Sequence, residues 1–292
     1  MMDKGYKKPY DNFNLTYAKD FFSVKEDLPS NTKILLDTMG LLKSTNSSIK
    51  DIKKKISLDQ GLTAFILKIS NSPFYGPKQE IATLTHAISY LGYSNIRTIL
   101  MSYFTKNLLS KIKDKKLQIA LWKHSLFNAF VAQAIAESKN ICEPEEAYIS
   151  GLLHDIGKIV MFKNDESKFI STIKLVNNKN LDPIEAEYDM FGFSHLEIGY
   201  ILSVNWNFTE NIKFALLFHH SYEKIRDKSK LPAVISLTNK LSYIENCSIY
   251  NIDPKTIDYS DEIDFLGISK TLINESLEDI ESIIEDYIRI YG

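Results

Sequence analysis

From Ser30 onward, apolar residues recur at the three-to-four-residue spacing that lines one face of an α-helix, and no strand-like alternation takes over anywhere. Ile34, Leu35, Met39 and Leu42 share one face, Leu62, Phe65, Ile66 and Ile69 a second, and Ile96, Ile99, Leu100 and Tyr103 a third. Such faces bury themselves only against other helices, so the pattern predicts an all-α, multi-helical bundle with short connections.

The punctuation agrees with this period. Ser48 reads as an N-cap with Asp51 in the first turn, and Asn71 to Pro77 carries two prolines and a glycine that enforce a loop. Gly92 is expected to end a helix over Leu84–Leu91, with Ser94 or Asn95 capping the next. Asp182-Pro183 opens a helix that Gly192 closes, and Ser194 with Glu197 forms a Ser-x-x-Glu capping box. Thr209 and Pro232 mark two further starts, and Asn246 to Ser260 reads as loop. Ser269 is expected to cap one acidic amphipathic helix carrying Leu272, Leu277, Ile280, Ile284 and Ile288.

A length of 292 residues with 16 Phe and 16 Tyr suffices for a sizeable core. The charge balance, 35 basic against 37 acidic residues, offers no electrostatic footprint for nucleic acid or an anionic membrane. Two cysteines, Cys142 and Cys247, support neither a disulfide framework nor a thiolate zinc site. Met1 to Asp20 lacks the apolar core of a signal peptide, and no later run reaches the ~18 apolar residues of a membrane span. The expectation is a cytoplasmic protein, with Lys111–Lys116 as a basic connection between two lobes.

Chemistry concentrates in Gly151-Leu152-Leu153-His154-Asp155-Ile156-Gly157-Lys158, where a His and an Asp interrupt an apolar run and need partners. A helix beginning at Pro144 is expected to run into this pair, with Gly157 as its end or a close-packing point. His124 projects from an apolar stripe with Leu117, Leu121, Val131 and Ile135. His195 falls in the first turn after the capping box, and His219 and His220 end a later helix. Five of the six histidines, with Asp155, thus lie at or near inward positions of successive helices. That donor set suits a divalent transition metal such as Fe, Mn, Zn or Ni, although a site of this kind is also built as a hydrogen-bonded core network. His86 reads as an ordinary partly buried helical residue outside the set, and Lys158 as a helix-surface lysine.

GLLHDIGK, His124 in WKHS, His195 in FSHLEIG and His219-His220 in FHH together resemble the HD superfamily of helical metal-dependent phosphohydrolases. ISNSPFYG at 69–76, followed by IATLTHAISYLGYSNIRTIL at 81–100, is similar to the HDOD branch, a family of bacterial signalling domains, and the likeness runs over residues 28 to 290 or so. The resemblance implies an arm at 1–27 and an HDOD-like unit at 28–292, made of an N-terminal helical lobe, 28–112, and an HD-like helical lobe, 113–292. It also implies His124, His154 and Asp155 as metal ligands, with His195, His219 and His220 at the further positions of two-metal members. Two departures stand out. Asn239 occupies the position of the usual late Asp, and the GYP loop of cyclic-dinucleotide phosphodiesterases is replaced by Ser221-Tyr222-Glu223-Lys224. The family implies a regulatory module with a signalling protein partner or a nucleotide ligand and without efficient catalysis. The alternative is a metal-dependent phosphohydrolase acting on a nucleotide or cyclic dinucleotide.

Overall fold

A computed structural model describes residues 13–23, 32–44, 46–179 and 181–291. Of the expected arm, 1–12 and 24–27 lie outside the described residues. The described residues form α-helices with short 3-10 turns and no strand.

In chain order, α1 (Leu15–Ser23) is followed by α2 (Thr32–Lys43), α3 (Ile49–Ile56), α4 (Gln60–Ser70), α5 (Leu84–Leu109), α6 (Lys115–Lys139) and α7 (Pro144–Leu153). Then come α8 (Ile156–Asn164), α9 (Glu166–Lys179), α10 (Pro183–Phe191), α11 (His195–Asn205), α12 (Glu210–Phe218), α13 (Leu231–Ile244) and α14 (Ser260–Leu266). The last two are α15 (Lys270–Leu277) and α16 (Ile280–Tyr291). The helices group into two compact units. One holds α2–α7 with α15 and α16, and the other holds α1 with α8–α14. This partition differs from lobes at 28–112 and 113–292, because α15 and α16 fold back onto α6 and keep it with the helices before it.

Within the α2–α7 unit, α2, α3 and α4 pack on α5 while α16 lies on α4 and α6. Aromatic rings fill the middle. Phe65 stacks on Tyr103 at 5.6 Å and meets Tyr287 of α16 edge-on, and Phe130 meets Tyr148 and Tyr287 edge-on, each at 5.2 Å. Ser48 caps α3 as expected, and Asp51 returns a bond to the Ser48 N–H to complete a capping box. The 71–83 loop is clasped by one side chain: the Asn71 amide accepts from Ile81 N–H at 2.8 Å and donates to the Ile81 carbonyl at 2.9 Å. Gly92 takes φ +76°, as a helix-ending glycine should. Neither Ser94 nor Asn95 caps the helical segment beyond it, however. Ser94 reaches Glu145, and Asn95 donates back to the Leu91 carbonyl. His86 is exposed rather than partly buried. The single helix expected after Ser269 is two, broken at Asp279, whose φ of +60° leaves the helical region.

In the other unit α11 is the hub, with α1, α8 and α12 packed against it, α13 on α12 and α14 on α13. Asp182, Pro183 and Gly192 bound α10 as expected, with Gly192 left-handed at φ +81°. Thr209 precedes α12 without a side-chain cap bond.

Candidate metal centre

The helix that starts at Pro144 runs up to the His154–Asp155 pair, as expected, but stops there instead of continuing to Gly157. α7 ends at Leu153, His154 and Asp155 form a turn, and α8 starts at Ile156. Gly157 is therefore not a helix end. It lies inside α8 where that helix meets the start of α11, and a Cβ there would run into the His195 carbonyl. This crossing brings Asp155, at the N-terminus of α8, beside His195, at the N-terminus of α11.

Asp155 Oδ1 lies 3.1 Å from His195 Nε2, and Asp155 Oδ2 lies 3.5 Å from His154 Nε2. His219 Nε2 approaches His195 Nε2 to 3.4 Å, and its ring sits edge-on to that of His154 at 5.1 Å. His220 packs on His219 at 4.5 Å between ring centroids and on His195 at 5.5 Å. The ligating nitrogens of His195, His219 and His220 all fall within 4.8 Å of one another. His154, His195 and His219 are buried, whereas His220 keeps some surface, although its Nε2 is buried and has no hydrogen-bond partner among the described residues.

Hydrogen bonding dictates which nitrogens face inward. His219 Nδ1 meets the Ala215 carbonyl at 3.0 Å, and a carbonyl only accepts, so Nδ1 carries the proton. Burial and the neighbouring imidazoles hold the pKa values of His219 and His220 well below the ordinary histidine value, so both are neutral near pH 7. His219 Nε2 is then a bare lone pair. His195 Nδ1 meets the Glu187 carboxylate at 2.7 Å and likewise carries its proton. His195 Nε2 thus faces the Asp155 carboxylate oxygen on one side and the His219 lone pair on the other, an arrangement that a metal cation reconciles. The donor chemistry fits a borderline divalent metal.

Around this point lies further polar chemistry. Lys158 is 1% exposed, not a surface lysine, and its ammonium pairs with Asp155 Oδ2 at 2.8 Å and covers the Tyr250 ring at 5.0 Å. Tyr250 has a buried hydroxyl without a hydrogen-bond partner among the described residues, and burial, Glu187 and Asp155 push its pKa well up. Asn239 is buried on α13, the helix that packs against α12, and its Oδ1 has no hydrogen-bond partner among the described residues. His124 is buried on α6 of the α2–α7 unit. The residue that sequence reading missed is Glu187, fully buried in mid-α10. Only its place eight residues before His195, in a helix whose other carboxylates keep some exposed surface, could have hinted at it.

The HDOD domain profile matches residues 28–222. The chain belongs to the HDOD domain family. An HDOD domain protein of unknown function from Geobacter sulfurreducens is 26% identical, with a TM-score of 0.78 over 94% of this chain and 96% of that one. Two more distant structures share the HDOD fold. One, from Shewanella amazonensis, is named a candidate phosphohydrolase (20% identity, TM-score 0.75, covering 94% of this chain and 98% of that one). The other, from Marinobacter aquaeolei, is named a candidate signal transduction protein (16% identity, TM-score 0.75, 96% and 66%). A curated but uncharacterized protein of Treponema pallidum is 23% identical over 235 residues, 80% of this chain, which spans 45% of that relative's length. No helix among the described residues is long and apolar enough to cross a membrane.

Proposed function

We propose that this HDOD protein is a signal-transduction module that holds a divalent transition metal in its α8–α14 unit and acts by binding a signalling partner or small ligand, without efficient hydrolysis. The observation that carries the reading is His195 Nε2 lying 3.1 Å from Asp155 Oδ1 and 3.4 Å from His219 Nε2, with an amide, Asn239, on α13 where the enzymes of the superfamily place a carboxylate. His154 and His220 are the adjoining donors. A metal there would polarise a phosphate oxygen or a water molecule. Asp155 is already paired to Lys158, which leaves less of its negative charge to balance a second metal ion. That favours retention of a ligand over turnover.

The test is metal analysis on anaerobically purified protein together with a phosphoester screen on the same sample. Stoichiometric metal, absent from His219→Ala, and no turnover are expected. Turnover that Asp155→Ala abolishes while the fold survives would overturn the regulatory reading. It would instate the second one, a phosphohydrolase of nucleotides or cyclic dinucleotides. The buried Lys158 ammonium beside the donor set, suited to an anionic ester, is the feature that favours that second reading.

A further inference from the structure

We propose that Glu187 is the positioning residue of this centre, holding the Nδ1–H of His195 so that Nε2 is the ring nitrogen presented towards Asp155 and His219. The inference rests on the metal reading above and adds to it a residue outside the histidine pattern.

Glu187 sits in the middle of α10 with no exposed surface, where a carboxylate is tolerated only if donors surround it. Both donors it finds among the described residues belong to His195. The same oxygen, Oε2, accepts the main-chain N–H of His195 at 2.8 Å and its ring Nδ1–H at 2.7 Å. That N–H is one of the unsatisfied donors at the start of α11, where the helix dipole favours negative charge. Ser194 and Glu197 cap the same turn independently, so Glu187 is not needed merely to start the helix. Its contact with the ring is the added feature.

On its other side His195 is pinned as well, since its carbonyl lies against Gly157 of α8. With main chain and Nδ1 both held, the ring cannot swing, and Nε2 stays 3.1 Å from Asp155 Oδ1 and 3.4 Å from His219 Nε2. A carboxylate behind an imidazole also raises its basicity as a ligand. Glu187 Oε1 has no hydrogen-bond partner among the described residues, so one oxygen does all the orienting.

The experiment is nitrogen-15 NMR of the histidine rings in the metal-free full chain, His195 being assigned with His195→Asn, followed by Zn²⁺ titration. In the wild type, His195 should carry its proton on Nδ1. In Glu187→Ala the proton should shift to a mixture or to Nε2. Glu187→Gln, which keeps size and an accepting oxygen without the charge, should retain its melting temperature yet bind Zn²⁺ roughly 10–100-fold more weakly. Should Glu187→Ala fail to fold, the wild type carries the Nδ1 readout and the Gln variant the Zn²⁺ readout. A wild-type His195 whose Nδ1 carries no proton, or variants with unchanged tautomer and unchanged Zn²⁺ affinity, would overturn the proposal. Wild-type protein with the expected tautomer but no Zn²⁺ uptake would overturn the metal reading alone and support the tautomer assignment.

Discussion

Gly157 of α8 lies directly against the main-chain carbonyl of His195 at the start of α11, and this backbone-to-backbone approach places Asp155 beside His195. A methyl group at Gly157 has only backbone to meet, so the two helices must part. Gly157→Ala is expected to destabilise by about 1–3 kcal/mol and to weaken metal binding further than stability alone accounts for. Urea unfolding paired with metal titration measures both, and unchanged values in the two would refute the close-packing role.

The His219 and His220 rings make stability depend on pH. Their folded pKa values are depressed by burial, whereas the unfolded chain protonates them near the ordinary value of about 6.5. The unfolded state therefore binds more protons below that pH, and stability falls with acidification. Metal-free protein should hold its full stability above about pH 7 and lose it as pH drops below about 6.5, each imidazole approaching ~1.4 kcal/mol per pH unit. Denaturation midpoints between pH 8 and pH 5.5 check the sign, and His219→Ala should flatten the curve.

A metal and a proton network also separate by concentration dependence. Metal that binds only the folded state stabilises by about 2.7 kcal/mol at 100 times its dissociation constant. Melting temperature should climb with free Zn²⁺ or Mn²⁺ in the wild type and stay flat in Asp155→Ala. A wild-type melting temperature indifferent to metal would leave these residues as a hydrogen-bonded core network.

Cys142 should be a poor nucleophile. Burial, reinforced by Glu146 and Glu143, pushes its thiol up to about 12, and Cys247 is buried. In native protein at pH 8 both thiols should react slowly with a disulfide reagent, and both should react promptly in guanidinium. Fast labelling of Cys142 in the folded state would contradict this burial.

The 71–83 loop depends on Asn71 in the same testable way. Asn71→Ala leaves the Ile81 N–H and the Ile81 carbonyl without their partner, while the Leu67 carbonyl keeps Ser70 Oγ, and should cost about 1–3 kcal/mol. The loss belongs to thermal stability, with metal binding by the other unit unaffected. A variant as stable as the wild type would show that water replaces the clasp.

Features that depend on a few neighbouring residues are legible in the chain itself. The capping boxes at Ser48/Asp51 and Ser194/Glu197 and the left-handed Gly192 close within one helical turn, so residue type and spacing suffice to find them. Other features escape a sequence reading for a common reason. The Leu153–Ile156 break, the αL residue at Asp279, the burial of Lys158 and the role of Glu187 each depend on what packs against the residue from elsewhere in the chain. A lysine or glutamate on a helix is indistinguishable from a solvated one until its neighbours are known.

By itself, the sequence determined an all-α chain of the HDOD family and the set of imidazoles with one Asp, because helical period and motif order are properties of the chain. Only the tertiary structure decided that α8 and α11 cross at Gly157, that His195 is gripped by Glu187, and which ring nitrogens face each other. Those facts depend on distances between helices distant in the chain, and a proton's place on an imidazole follows from the acceptor that packing puts beside it.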